Sequence, residues 1–297
     1  MKKRKFREPN IKCSGEVCGR EEIWVTYTDD IDDLRTKLEL LGYGNIRTEF
    51  FDFAQWRRQT QLEVLSLSAE ISETGRASFK PKLWQRLKRH LVDLFDGNCA
   101  YCECRVRQVS YGMVEHYRPK RKPAEAERHP GYFWLAYTPT NLLPCCDVCN
   151  GVRAKGSHFP VLGIHASVAS EVGNEKPLLL NPYEHEDDPR IHLEFLVPPD
   201  ERDQLALVRG LSVRGETSVA IYNLRRTDLA QYRRDCQRRF LTDLMYLHLH
   251  REFAKRDALI RGVLDGRVEC SAACRAVFEV WLAEKESDIA NIRRMSS

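Results

Sequence analysis

Two Cys-x-x-Cys pairs, Cys99/Cys102 and Cys146/Cys149, constrain this 297-residue chain more than any other feature. Two thiolates from one tight turn can reach the same ion, and two such turns complete the tetrahedral set that structural zinc prefers. A single pair is weak, because redox dithiols and chance produce it too. Two pairs that bracket the segment Glu115-His116-Tyr117-Arg118-Pro119-Lys120 carry far more. The competing account is four buried free thiols, since cysteine is among the commonest fully buried residues. If a metal is held, both turns become fixed points and the segment between them is a loop pinned at each end.

The remaining cysteines bear on compartment. Eleven in all would be awkward to leave unpaired outside the cell. A reducing cytoplasm with metal-bound thiolates fits better than a disulfide scaffold. The stretch Met1–Pro9 is basic but no apolar run follows it, so it does not read as a secretory leader. No apolar run approaches the length of a membrane span. With 42% hydrophobic and 30% charged residues the chain reads as folded rather than disordered. A net charge of +4 neither demands nor excludes nucleic acid. The placement of charge says more: Lys82, Arg86, Lys88 and Arg89 precede the first pair, and Arg118, Lys120, Arg121 and Lys122 follow His116. Basic clusters beside a candidate site point to a phosphate-rich ligand. A solvated helix face accounts for the first cluster equally well.

Periodicity divides the chain into three parts: an N-terminal segment over 1–80, a cysteine-bearing core over 81–165, and a mainly helical region over 166–297. The residues Ile23 to Tyr27 are β-prone, and Ile31 to Leu41 and Phe53 to Ala69 read as helices. Pro81 to Phe95 reads as a helix with Trp84, Leu87, Leu91 and Leu94 on one face. Between the pairs, Arg105 to Val109 and Gly112 to His116 read as a hairpin, and Asn150 to Lys155 as the start of a helix. Together these make a compact ββα unit. Pro177 to Pro182 reads as a buried strand, Leu193 to Val197 and Leu205 to Arg209 as further strands, and the chain beyond Thr217 as helical, with Leu241, Leu244 and Leu247 on a packed face. The fold class is α+β.

His116 is the candidate general base, because a neutral imidazole can take a proton from water. Glu115, pointing the other way off an extended strand, offers oxygen to a divalent cation. Asn150, just after Cys149, offers a second oxygen. Such a partly hydrated oxygen shell suits magnesium or manganese. Asn141 is placed to brace the loop that carries His116. Each residue alone has a blander account: a hydrogen-bonded core histidine, or asparagines serving turns and caps. Arg118, Lys120 and Lys155 are candidate nucleic-acid contacts, against the alternative of surface charges. His158 reads as structural, and Tyr132, Phe133, Trp134 and Tyr137 as a hydrophobic floor more than a base-stacking platform. Cys104 and Cys145 read as bystanders, Cys236, Cys270 and Cys274 as helix packing, and Cys13 with Cys18 as a weak second metal turn.

The motifs Cys99-Ala100-Tyr101-Cys102, Val114-Glu115-His116-Tyr117-Arg118-Pro119-Lys120, Asn141-Leu142-Leu143-Pro144-Cys145-Cys146-Asp147-Val148-Cys149-Asn150 and Lys155-Gly156 resemble an HNH endonuclease. The resemblance is to the type found as a subunit of Septu-like and retron-linked anti-phage defence systems, and it covers about 98–160 closely. It implies a ββα-metal core with a structural zinc held by four cysteines. His116 is then the base, Asn141 the residue orienting its loop, Glu115 and Asn150 the magnesium or manganese ligands, and Cys99, Cys102, Cys146 and Cys149 the zinc set. It also implies DNA more than RNA as substrate, and an ATPase partner subunit. The chain departs from the usual pattern in having Glu where Asp is commoner and Asn where the final His stands. A different class of function stays open: a zinc-ribbon module that binds nucleic acid or protein without cutting.

Overall fold

The computed structural model describes residues 53–106, 112–198 and 205–295, with the side chains of 185 and 286–295 excepted. The sequence expectations for Ile23–Tyr27, Ile31–Leu41, the Cys13/Cys18 turn and most of Arg105–Val109 lie outside the described residues. What is described mixes helices with two small antiparallel sheets, an α+β arrangement. None of its helices is long and apolar enough to cross a membrane.

The chain divides near residue 86 into two compact units. The first contains α1 (Phe53–Thr74) and α2 (Pro81–Gln85). Helix α1 outlasts the predicted end at Ala69 and stops at Gly75, whose φ of 68° suits glycine and whose N–H bonds the Ile71 carbonyl at 2.8 Å. The Trp56 indole, fully buried, donates to the Leu83 carbonyl at 2.7 Å and so ties the two helices together.

From Leu87 onward the second unit holds the cysteines. The helix expected over Pro81–Phe95 is interrupted, and α3 begins at Lys88 and ends at Leu94. Asp96 and Gly97, both at positive φ, turn the chain sharply into Cys99. Strand β1 (Met113–His116) pairs antiparallel with β2 (Leu142–Cys145), with Met113 opposite Cys145 and His116 opposite Leu142. This corrects the predicted hairpin. Arg105 bridges back to Asn98 instead and closes the first cysteine turn. The reason is burial: β2 is apolar and buried along its whole length, so it is the better partner for the half of β1 that carries Glu115 and His116 inward. Helix α4 (Asp147–Asn150) then starts earlier than expected and is a single turn with Cys146 as its N-cap residue.

Beyond it come α5 (Pro189–His192), β3 (Leu193–Phe195), β4 (Val208–Gly210) and α6 (Val213–Ile221). Helices α7 (Thr227–Leu249), α8 (Phe253–Leu264) and α9 (Ser271–Met295) pack on one another, and α9 also covers β3. Strands β3 and β4 pair antiparallel. Of the strand expected over Pro177–Pro182, Leu179 to Pro182 is buried but is not a ladder strand; Pro177 makes one isolated bridge to Val161. One apolar core runs through this unit. It joins Tyr101, Tyr117, Leu143 and Phe159 to Leu180, Tyr222, Leu224, Phe240 and Phe278. Tyr101 stacks on Tyr222 with ring centroids 3.9 Å apart. Residues before and after position 165 therefore share their hydrophobic stabilisation.

Candidate metal centre and catalytic strand

The four cysteines converge. Their sulfurs all lie within 4.8 Å of one another and all four residues are buried. Backbone hydrogen bonds shape each turn. The Cys99 N–H donates to the Cys104 carbonyl at 2.9 Å and the Glu103 N–H to the Cys99 carbonyl at 3.0 Å. On the second turn the Lys155 N–H donates to the Cys149 carbonyl at 3.2 Å. The Cys146 N–H points at the Cys99 sulfur, 3.4 Å away, linking the two turns. Hydrogen bonds from Cys104, then Cys146 and Cys149, hold the Cys102 thiol well below its ordinary value. Thiolates bonded to zinc at about 2.3 Å in a tetrahedron sit about 3.8 Å apart. The Cys102–Cys146 separation is 3.9 Å. Donor type, spacing and burial all fit zinc.

Alternation along β1 sends Glu115 and His116 to opposite faces. Both are buried. The His116 Nε2 lies 2.9 Å from the Ala136 carbonyl, an acceptor, so Nε2 carries the proton and Nδ1 is the basic nitrogen. Burial, then the charges of Lys120 and Lys155, hold the imidazole down to about 3, so the ring is neutral near pH 7. On the other face the Glu115 carboxylate meets the Lys155 ammonium at 2.8 Å. That ammonium is fully buried and also donates to the His116 carbonyl at 3.1 Å.

Asn141 is a clamp. Its Oδ1 accepts from the Arg118 N–H at 2.8 Å, and its Nδ2 donates to the Arg118 carbonyl at 3.0 Å and the Leu135 carbonyl at 3.1 Å. Both backbone groups of the residue two beyond His116 are thus fixed by one side chain. The Asn150 amide reaches the Met113 sulfur at 3.2 Å. Met113 and Glu115, two apart, share a strand face, so Asn150 comes to the face that carries Glu115.

The basic residues divide. Arg118 turns to the buried Glu175, Nε to Oε2 at 2.7 Å, and lies over the rings of Tyr117 and Phe159. Glu175 also accepts from the Tyr132 hydroxyl and from the Ala166 N–H at 2.9 Å. Lys155 faces inward. Lys120 is half-buried, and burial lowers its ammonium below the ordinary value. His158 bonds Glu125 at 2.8 Å. Tyr132 and Tyr137 are buried, with Tyr132 edge-on to Trp134 and Phe159.

Two participants were given no role from the sequence. Glu175 is a lone carboxylate in a polar stretch without periodicity. Arg226, directly before α7, brings Nη1 to 3.7 Å from the Cys149 sulfur across 77 residues of chain.

Comparison with known proteins finds sequence similarity to Septu proteins over part of the chain. Over 155 residues the chain is 36% identical to the Septu protein PtuB of Bacillus mycoides (strain KBAB4), covering 50% of each. Over 168 residues it is 30% identical to the Septu protein PtuA of the same organism, covering 54% of this chain and 22% of that one. The Septu protein PtuB of Bacillus thuringiensis is 27% identical over 175 residues, covering 58% and 52%. The chain is Septu-like over about half its length. It spans about half the length of the PtuB proteins and about a fifth of the PtuA. No family model matches, and no solved structure matches.

Proposed function

We propose that this chain is a metal-dependent HNH endonuclease that hydrolyses nucleic-acid phosphodiesters, DNA in preference to RNA, within a Septu-like anti-phage defence system. The observation that carries the reading is His116: a neutral imidazole with Nε2 committed to a carbonyl and Nδ1 basic, back to back with a carboxylate on one strand end. In this reading His116 accepts the proton of the attacking water. Its low proton affinity guarantees the free-base form, and a phosphate anion drawn beside the ring raises that affinity as the reaction begins. Asn141 keeps the segment behind the base from shifting. Lys120 contacts the phosphate backbone, while Arg118 and Lys155 hold the site from within.

Glu115 and Asn150 offer one carboxylate and one amide oxygen, the donor type that magnesium or manganese takes. An ion there would supply charge stabilisation at the scissile phosphate. The cysteine site closes around zinc with four thiolates, leaves it no open position, and so shapes the fold without joining the chemistry. The relatives named PtuA and PtuB support a partner subunit and a role in defence; the ATPase class of that partner is carried by the family resemblance of the motifs.

One observation favours the rival, a binding module that does not cut: Glu115 is already satisfied by Lys155. Plasmid cleavage by the purified protein and by His116→Ala, in magnesium, manganese or EDTA, separates the two. Cutting by wild type alone, abolished by EDTA, is the expected result. DNA binding without cutting, even with the partner subunit and nucleotide added, would favour the module.

A further inference from the structure

A zinc ion held by four thiolates carries a net charge of about −2, and such a charge is costly to bury without compensation. The cysteine knot is buried on every ligand. Within the knot itself, the Cys146 N–H at 3.4 Å from the Cys99 sulfur supplies one dipole. The C-terminal region supplies a whole charge. Arg226 lies 3.7 Å from the Cys149 sulfur, its side chain only 11% exposed, and its charge also acts on Cys102. Seven residues on, which returns to the same helix face, Arg233 is 1% exposed but is committed elsewhere: it donates to the Leu224 carbonyl at 2.6 Å and lies over the Phe195 ring.

A purely local account of Arg226 is weaker. Its Nη1 does donate to the Asn223 carbonyl at 3.1 Å, as a helix-start side chain can. Its ion-pair partner Asp228, however, is 3.4 Å from Nε and mostly solvent-exposed, where such pairs contribute little. The neighbouring Arg225 shows what local commitment looks like. Both its terminal nitrogens bond Glu216 at 2.7 Å, and its Nε bonds the Val208 carbonyl at 3.0 Å, away from the sulfurs.

We infer that Arg226 is an outer component of the cysteine metal centre: a cation from the C-terminal region that offsets the thiolate charge and slows loss of the ion. This rests on the structural-zinc reading and not on the nuclease reading. It gives the C-terminal region a chemical part in the site beyond packing. Outer partners of metal ligands typically tune affinity by about 10–100-fold when removed.

The test uses the full chain purified with zinc, challenged with a chromogenic chelator, alongside Arg226→Gln, Arg226→Lys and Arg225→Gln. Arg226→Gln should lower zinc affinity by about 10–100-fold. Arg226→Lys, which keeps the charge, should recover most of the loss, and Arg225→Gln should behave as wild type. Cobalt exchanged into the site adds a spectroscopic readout. Its thiolate charge-transfer band should shift in Arg226→Gln, because a donor has left Cys149, and stay in place in Arg225→Gln. Wild-type zinc affinity in Arg226→Gln, or equal losses in Arg225→Gln, would overturn the inference. If Arg226→Gln does not fold, Arg226→Lys decides: retained zinc supports the role of charge, and zinc lost from a folded protein overturns it. A wild-type protein that binds no zinc overturns the zinc reading itself, whatever the nuclease assay returns.

Discussion

Lys155→Met removes an ammonium from a site of zero exposure while nearly preserving side-chain length. The wild-type group bonds Glu115 at 2.8 Å and the His116 carbonyl at 3.1 Å. Taking one partner from a buried ion pair leaves the other charge uncompensated, a loss of about 3–5 kcal/mol. For a cooperative unit of this size each kcal/mol moves Tm by about 2–4 °C, so the variant should melt roughly 6–20 °C below wild type. Adding Glu115→Gln neutralises the orphaned carboxylate, and the double variant should regain part of the loss. Calorimetry on the four proteins of this cycle measures the coupling directly. The opposite idea, a lysine that contacts phosphate, makes a different prediction. Tm would stay within about 2 °C of wild type. DNA affinity would fall, and its salt slope would shrink by about one. That outcome would refute the reasoning from burial.

Asn141→Ala leaves the Arg118 N–H and the Arg118 and Leu135 carbonyls without their partner. At about 1 kcal/mol for each, urea denaturation should show a loss near 3 kcal/mol. Cys146→Ser should purify with less zinc by metal analysis and melt lower, because the binding energy of such a site is folding energy. His116 has a folded value of about 3 against an ordinary 6.5. The unfolded chain therefore takes up the proton first, and the stability tied to the neutral ring, up to about 5 kcal/mol, is present above pH 6.5 and lost as pH falls towards 3. The stability gap between wild type and His116→Asn should narrow between pH 7 and pH 4.5. A constant gap would show that burial does not depress the imidazole.

The convergence of the cysteines was legible because each pair is a local turn and zinc chemistry dictates how two turns meet. The opposed directions of Glu115 and His116 followed from the period of a strand. Strand pairing was not legible, because Gly112–His116 had two candidate neighbours and only burial of Leu142–Cys145 selects between them. Nor was the inward turn of Lys155, since lysine is seldom fully buried and nothing nearby in sequence marks it as Glu115's counter-charge. Arg118 read as a nucleic-acid contact because Glu175, its partner, is 57 residues away. Contacts of that separation leave no pattern in a single chain.

Chain order gives the contact between Arg226 and Cys149 a temporal side. At about 5–20 residues per second, the 77 residues between them take roughly 4–15 s to synthesise. For that interval all four thiols exist without their arginine, and Tyr101 exists without Tyr222 to cover it. A nascent chain stalled before residue 222 thus exposes the knot, with its thiols open to oxidation, whereas release of the finished chain closes it.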